Sequence, residues 1–190
     1  MSLLNVLVRE NEAFVAVDTL ASGGTMSKMI PLVHTGVVFA GRGDRRFLHD
    51  LFDVYYLGRG HFDFDEIIHH IPTAIRAVVD FQGREKPGQK LSDYIVTVVG
   101  WSAKDNRMRG FTFSGLNKPD ADIRTDPVKC NIGPWESSER PPMPDSPENL
   151  IALAAKQVPM FKKLNTIGGG NLILAHITKD ELNVRNLGAI

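Results

Sequence analysis

The chain has 190 residues, with 22 basic and 22 acidic side chains, six His, one Cys and 43% hydrophobic residues. That size suits one domain, and a charged fraction of 23% with zero formal net charge excludes wholesale disorder and an overall basic field for nucleic acid or an anionic membrane. The longest apolar runs, 95–101 and 172–177, fall far short of the roughly 20 residues that span a bilayer, residues 1–5 lack the basic start of a secretory signal, and a lone Cys130 fits a reducing, cytoplasmic setting.

Leu4, Val6 and Val8 alternate with Asn5, Leu7 and Arg9, and Glu10-Asn11-Glu12 turns the chain into a second strand, Phe14-Val15-Ala16-Val17, which ends at Asp18. Gly23-Gly24 opens a loop. Met29-Ile30 resumes an extended segment that Pro31 confines to an edge or a strand end. His34-Thr35-Gly36 reads as a turn, and Val37-Val38-Phe39-Ala40 as a short buried strand stopped by Gly41. Asp44 caps a first helix, whose apolar residues Phe47, Leu48, Leu51, Phe52 and Tyr55 recur every three or four positions. A second helix starts near Asp63, with Phe64, Ile67, Ile68, Ile71, Ile75, Val78 and Val79 as its stripe and Pro72 as a kink or a division.

Segments 94–100 and 108–113 flank Lys104-Asp105-Asn106 as a hairpin. Residues 114–146 are rich in Pro, Asp and Gly, with one apolar piece at 128–132, and a connection of this length is functional or ordered by a neighbouring subunit. Ser146-Pro147 opens a third helix with Leu150, Ile151, Ala154, Val158, Phe161 and Leu164 on its buried face and a bend at Pro159. Gly168-Gly169-Gly170 ends it, and 172–177 with 182–187 make a final hairpin. Strands and helices arriving in separate blocks predict an α+β domain over 1–190, two antiparallel sheets face to face with helices on their outer faces.

Ser2 stands one residue from the start of the first strand. Once Met1 is removed, its hydroxyl and its own α-amine share one residue, and an amine of pKa near 8 can accept the hydroxyl proton. Asp18 and Lys28 lie at neighbouring strand ends, where the ammonium would lower the pKa of that amine and Asp18 would hold the Lys. Gly41 could offer a backbone N–H to an oxyanion. Other readings of the same residues are a structural ion pair for Asp18 and Lys28, and a tight strand-to-helix turn for Gly41.

The run from Leu4 to Asp18, then Ser27-Lys28-Met29-Ile30, then Phe39-Ala40-Gly41 before a helix, resembles the proteasome β-type N-terminal-nucleophile hydrolases. The resemblance implies a four-layer αββα sandwich. It also implies a peptidase acting on peptide or protein amide bonds, with Ser2 in place of the family's Thr and with Asp18, Lys28 and Gly41 as its support. Identical subunits in a ring are the implied partners; no cofactor, metal, nucleic acid or membrane is expected. The chain departs from the family where Ile132-Gly133-Pro134-Trp135 lacks a Gly-Ser-Gly, and where 165–170 lacks the Asp and Ser that hold the terminal amine. The alternative is therefore a non-catalytic assembly subunit of a ring or virus-like particle.

The remaining motifs have plainer explanations. Adjacent His69 and His70 point apart on a helix, and with His61 they do not make a metal-ligand pattern. Arg42-Gly43-Asp44 is a common chance match to an adhesion motif, and the triple glycine lacks the Lys-Ser/Thr of a phosphate loop. Cys130 reads as a small core residue, and Ser102 and Cys130 are weaker alternatives as nucleophile.

Overall fold

The computed structural model describes residues 3–21, 24–43, 45–56, 62–85, 94–115, 124–128, 130–131, 141–165 and 167–190. In chain order the elements are β1 (Leu4–Val8), β2 (Glu12–Asp18), β3 (Leu20–Ala21), β4 (Gly24–Thr25), β5 (Met29–Leu32), a 3₁₀ turn (Val33–Thr35) and β6 (Val37–Gly43). There follow α1 (Arg45–Tyr56), α2 (Phe64–Glu85), β7 (Tyr94–Ser102), β8 (Arg107–Ser114), β9 (Arg124–Pro127), β10 (Cys130–Asn131), α3 (Pro147–Lys163), β11 (Asn171–Thr178) and β12 (Leu182–Ala189). The result is a mixed α+β architecture whose strand pairs, among the described residues, are all antiparallel.

One five-stranded sheet runs β10-β1-β2-β11-β12 and the other β5-β6-β7-β8-β9, with β3-β4 a separate ribbon. Alternation sorts their side chains. From β1, Leu4 and Val6 pack with Val15 and Val17 of β2, and with Val38 and Ala40 of β6, in a core between the sheets. From the opposite face of the first sheet, Leu3, Leu7, Phe14 and Ala16 meet Leu150, Ala154 and Phe161 of α3. On the second sheet, Val37, Phe39, Val96 and Val98 pack under α1 and α2 against Phe47, Leu51, Ile67, Ile71 and Ile75.

Helix ends follow their local chemistry. Asp63 and Glu66 bond reciprocally through side chain and backbone at the start of α2, a capping box. Ser146 accepts the Asn149 N–H at the start of α3. Of the kink or division expected at Pro72, the division does not occur: α2 is continuous over 22 residues. A mid-helix Pro costs about 3 kcal/mol, whereas each fully buried Ile contributes about 1.5–3 kcal/mol, and Ile67, Ile71 and Ile75 are all buried. α3 likewise continues past Pro159 and closes at Lys163, before the glycines. The cap proposed for Asp44 lies outside the described residues.

β6 corrects a second expectation, since it passes through Gly41 to Gly43 rather than stopping there. Gly41 and Gly43 pair with Val96 and Tyr94, so the ladder with β7 carries the strand onward. Within 114–146, β9 pairs with β8 and β10 with β1, each closing one sheet edge.

The β1–β2 turn end carries a charged cluster. Glu12 bonds Arg9 at 2.7 Å and His176 of β11 at 3.0 Å, and the His176 ring stacks on Phe14 at 4.5 Å. Burial pushes the Glu12 carboxyl up, but Arg9 and His176 outweigh it and hold it below its ordinary 4.5. A depressed carboxyl contributes stability above pH 4.5 that is lost as pH falls through the folded value. Urea unfolding is therefore expected to show a steeper loss between about pH 5 and 3 for the native chain than for Glu12→Gln.

Candidate functional site

Of the four candidate residues, the structure places Asp18, Lys28 and Gly41; Ser2 lies outside the described residues. Asp18 ends β2 and is fully buried, and Lys28, just before β5, is 2% exposed. The Lys28 ammonium sits 2.8 Å from Asp18 Oδ2 and also donates to the Leu20 carbonyl. Asp18 Oδ1 accepts the Leu3 N–H at 2.8 Å, and Oδ2 accepts the Gly169 N–H at 2.9 Å. Both carboxylate oxygens are thus engaged, one by the amide joining Leu3 to Ser2. Burial lowers the pKa of Lys28, and the Asp18 charge and hydrogen bond raise it; burial wins, so the ammonium releases its proton more readily than an exposed lysine.

Local structure explains the convergence. β1 and β2 pair with Leu4 opposite Val17, which brings the start of one beside the end of the other. β5 and β6 pair with Met29 opposite Ala40, and Gly41 N–H donates to Lys28 O at 2.9 Å one step further out. The end of β2 on one sheet and the start of β5 on the other thus meet at the Asp18–Lys28 contact. Gly41 passes close under α1: a Cβ there would lie 2.4 Å from Leu48 Cδ2, so that side-chain end would have to shift to admit one. Its N–H is already committed to Lys28 O, so an oxyanion would have to share that donor.

Gly169 is the site residue the sequence reading passed over. Its φ of +114° is one that L side chains rarely adopt, and that backbone turns the N–H toward Asp18. Thr19 Oγ1 accepts the Asn171 N–H, and Leu20 N–H bonds Gly169 O, which lock the glycine segment to the β2 end. The glycine run itself was the available signal. Gly169→Ala is expected to cost about 1–3 kcal/mol through backbone strain, read as a lowered urea midpoint.

A second missed pair supports β1 from the other side. Asn5 and Gln157 are fully buried, and Asn5 Nδ2 donates to Gln157 Oε1 at 2.7 Å, tying β1 to α3. Ser102 is buried and donates to Asp65 Oδ1 at 2.7 Å while accepting the Asp105 N–H, so it clamps the β7–β8 turn to α2. That leaves it engaged structurally rather than poised to attack. Arg42 and Gly43 lie within β6, and His69 and His70, expected to point apart, instead meet edge to face with ring centroids 5.2 Å apart. Among the described residues no three His, Cys, Asp or Glu side chains gather as a metal site requires. His61 lies outside the described residues, and Cys130 pairs with Leu7 through its strand.

No known protein family and no curated protein matches the chain. Among the described residues no helix is long and apolar enough to cross a membrane.

Proposed function

We propose that this protein is an N-terminal-nucleophile hydrolase of the proteasome-like type, a cytoplasmic peptidase whose sheets and helices stack as an αββα sandwich. The observation that carries the proposal is the buried Lys28–Asp18 pair, anchored through Asp18 Oδ1 to the Leu3 amide, one covalent bond from Ser2. Three apolar cores, one between the sheets and one under each helical layer, support the sandwich.

In this mechanism the free α-amine of Ser2 takes the proton from Ser2 Oγ, which attacks the scissile carbonyl. The Lys28 cation lowers the basicity of the amine toward neutrality and favours the developing negative charge. Gly41 N–H gives the oxyanion a three-centre bond shared with Lys28 O. The protonated amine then delivers its proton to the leaving amine, and water releases the acyl group from Ser2. Of the three ammonium donors, Asp18 and Leu20 take two among the described residues, which leaves one for the Ser2 hydroxyl.

Intact-mass spectrometry tests the proposal directly. The expected result is loss of Met1 and a single adduct on Ser2 after treatment with a β-lactone. Quantitative retention of Met1 removes the mechanism, because the amine is then locked in a peptide bond.

A second reading, a non-catalytic assembly subunit, is favoured by the Gly41 N–H already bonded within the ladder. Both readings take identical subunits as partners. β12 supports this: it is an edge strand exposed along most of its length, with Val184 and Leu187 open to solvent.

A further inference from the structure

Arg42 is the charged group beside this site that the mechanism above leaves idle. Along β6, Val38, Ala40 and Arg42 fall on one face, and the first two belong to the intersheet core. Its cross-strand partner Ile95 belongs to the same core. Arg42 therefore lies on the intersheet face where the apolar filling ends, directly after Gly41, whose N–H holds Lys28 O. The side chain is half-buried, and burial alone pulls its pKa down.

Other arginines show what is missing. Arg9 is paired with Glu12, Arg46 with Asp50 and Glu85, and Arg109 with Asp105. Those side chains are all partly exposed, and each has a carboxylate. Arg42 has neither a hydrogen bond nor an ion pair with any described residue. A guanidinium withdrawn from water without a partner is unfavourable, and it stays charged at any physiological pH. Its planar fork matches a carboxylate in two parallel hydrogen bonds. A single carboxylate would neutralise the charge, whereas a phosphate dianion would leave an excess negative charge in a half-desolvated place.

We infer that Arg42 is a specificity residue that receives a carboxylate of the peptide bound at this site, so that acidic peptides are the preferred ligands. The peptide as ligand rests on the hydrolase reading; the carboxylate preference rests on Arg42.

Equilibrium binding separates the two. Fluorescently labelled, amidated peptides carrying Glu or Gln at one position are titrated against the Ser2→Ala chain, which cannot turn them over. A third peptide is neutral but ends in a free carboxylate. The Glu peptide is expected to bind about ten- to a hundredfold tighter than the Gln peptide, the range of one charge-assisted pair. Arg42→Gln in that background should erase the difference without lowering the melting temperature, and Arg42→Lys should keep part of it. Tight binding of the third peptide alone assigns the preference to a chain terminus, and of the Glu peptide to a side chain. Equal binding of all three overturns the inference. So does a preference that survives Arg42→Gln, or an unfolded Arg42→Gln chain beside a folded Arg42→Lys chain that binds all three equally. A carboxylate preference in a chain whose Ser2 is never acylated would keep Arg42 and discard the hydrolase; acylation without preference would do the reverse.

Discussion

Replacing Lys28 by Met is expected to cost about 3–5 kcal/mol of stability, because the substitution leaves the Asp18 carboxylate buried with no counter-charge. For a chain of this size that corresponds to a melting temperature lower by roughly 10 °C. The magnitude follows from burial at both ends: Asp18 is wholly buried and Lys28 nearly so, and the pair sits at 2.8 Å. Once Lys28 is gone, the Leu3 and Gly169 amides are the hydrogen-bond donors left to the carboxylate among the described residues. An exposed ion pair would contribute at most about 1 kcal/mol. The double variant Asp18→Asn, Lys28→Met should lose less than the single Lys28→Met, since no unpaired charge is left inside. Urea denaturation of the native chain, both single variants and the double closes the cycle. A loss below about 1 kcal/mol for Lys28→Met would show that the pair is open to water in solution.

Much of this arrangement was legible because side-chain periodicity is a direct imprint of packing. β1 and β2 alternate between the intersheet core and the face under α3, which made the first hairpin, and Asp18 at its end, readable. The β7–β8 hairpin is signalled by apolar strands around a polar turn, where Asn106 takes a φ of +50°. Lys28 and Asp18 are legible from their positions at neighbouring strand ends.

The misreadings have common physical causes. Gly41 reads as a stop because glycine weakens strands, yet ladder pairing with Val96 carries β6 through it, and a close pass under Leu48 fits its lack of a side chain. The division read as one outcome at Pro72 comes from local propensity alone, and the buried stripe around that residue keeps α2 continuous. β9 is four residues long, too short for alternation to register, whereas β10 falls within the apolar piece at 128–132. Gly169 acts through a backbone N–H, which carries no side-chain signature. Asn5 and Gln157 lie 152 residues apart, and only the tertiary fold joins them. Asn5 nonetheless had a cue: it is the polar position between Leu3 and Leu7 on a face otherwise apolar.

The chemical proposal stands or falls on Ser2. Ser2→Ala is expected to reduce acylation by a β-lactone by about 10³-fold or more, because no other hydroxyl carries its own base at that strand start. Ser2→Thr should retain labelling, since it keeps hydroxyl and α-amine on one residue. Ser2→Thr should leave the melting temperature unchanged, because it keeps the hydroxyl and the anchoring bond to Asp18 is made by the Leu3 amide. The labelling rate of the native chain should rise with pH along a limb centred below the ordinary amine value of about 8, as the nearby Lys28 cation makes the neutral amine easier to reach. Lys28→Met, where it folds, should shift that limb upward. Equal labelling of the native chain and Ser2→Ala would mean that the adduct forms elsewhere. With Met1 retained as well, Asp18, Lys28 and Gly41 would remain as a buried brace joining two sheets, and the assembly reading would take the place of the enzymatic one.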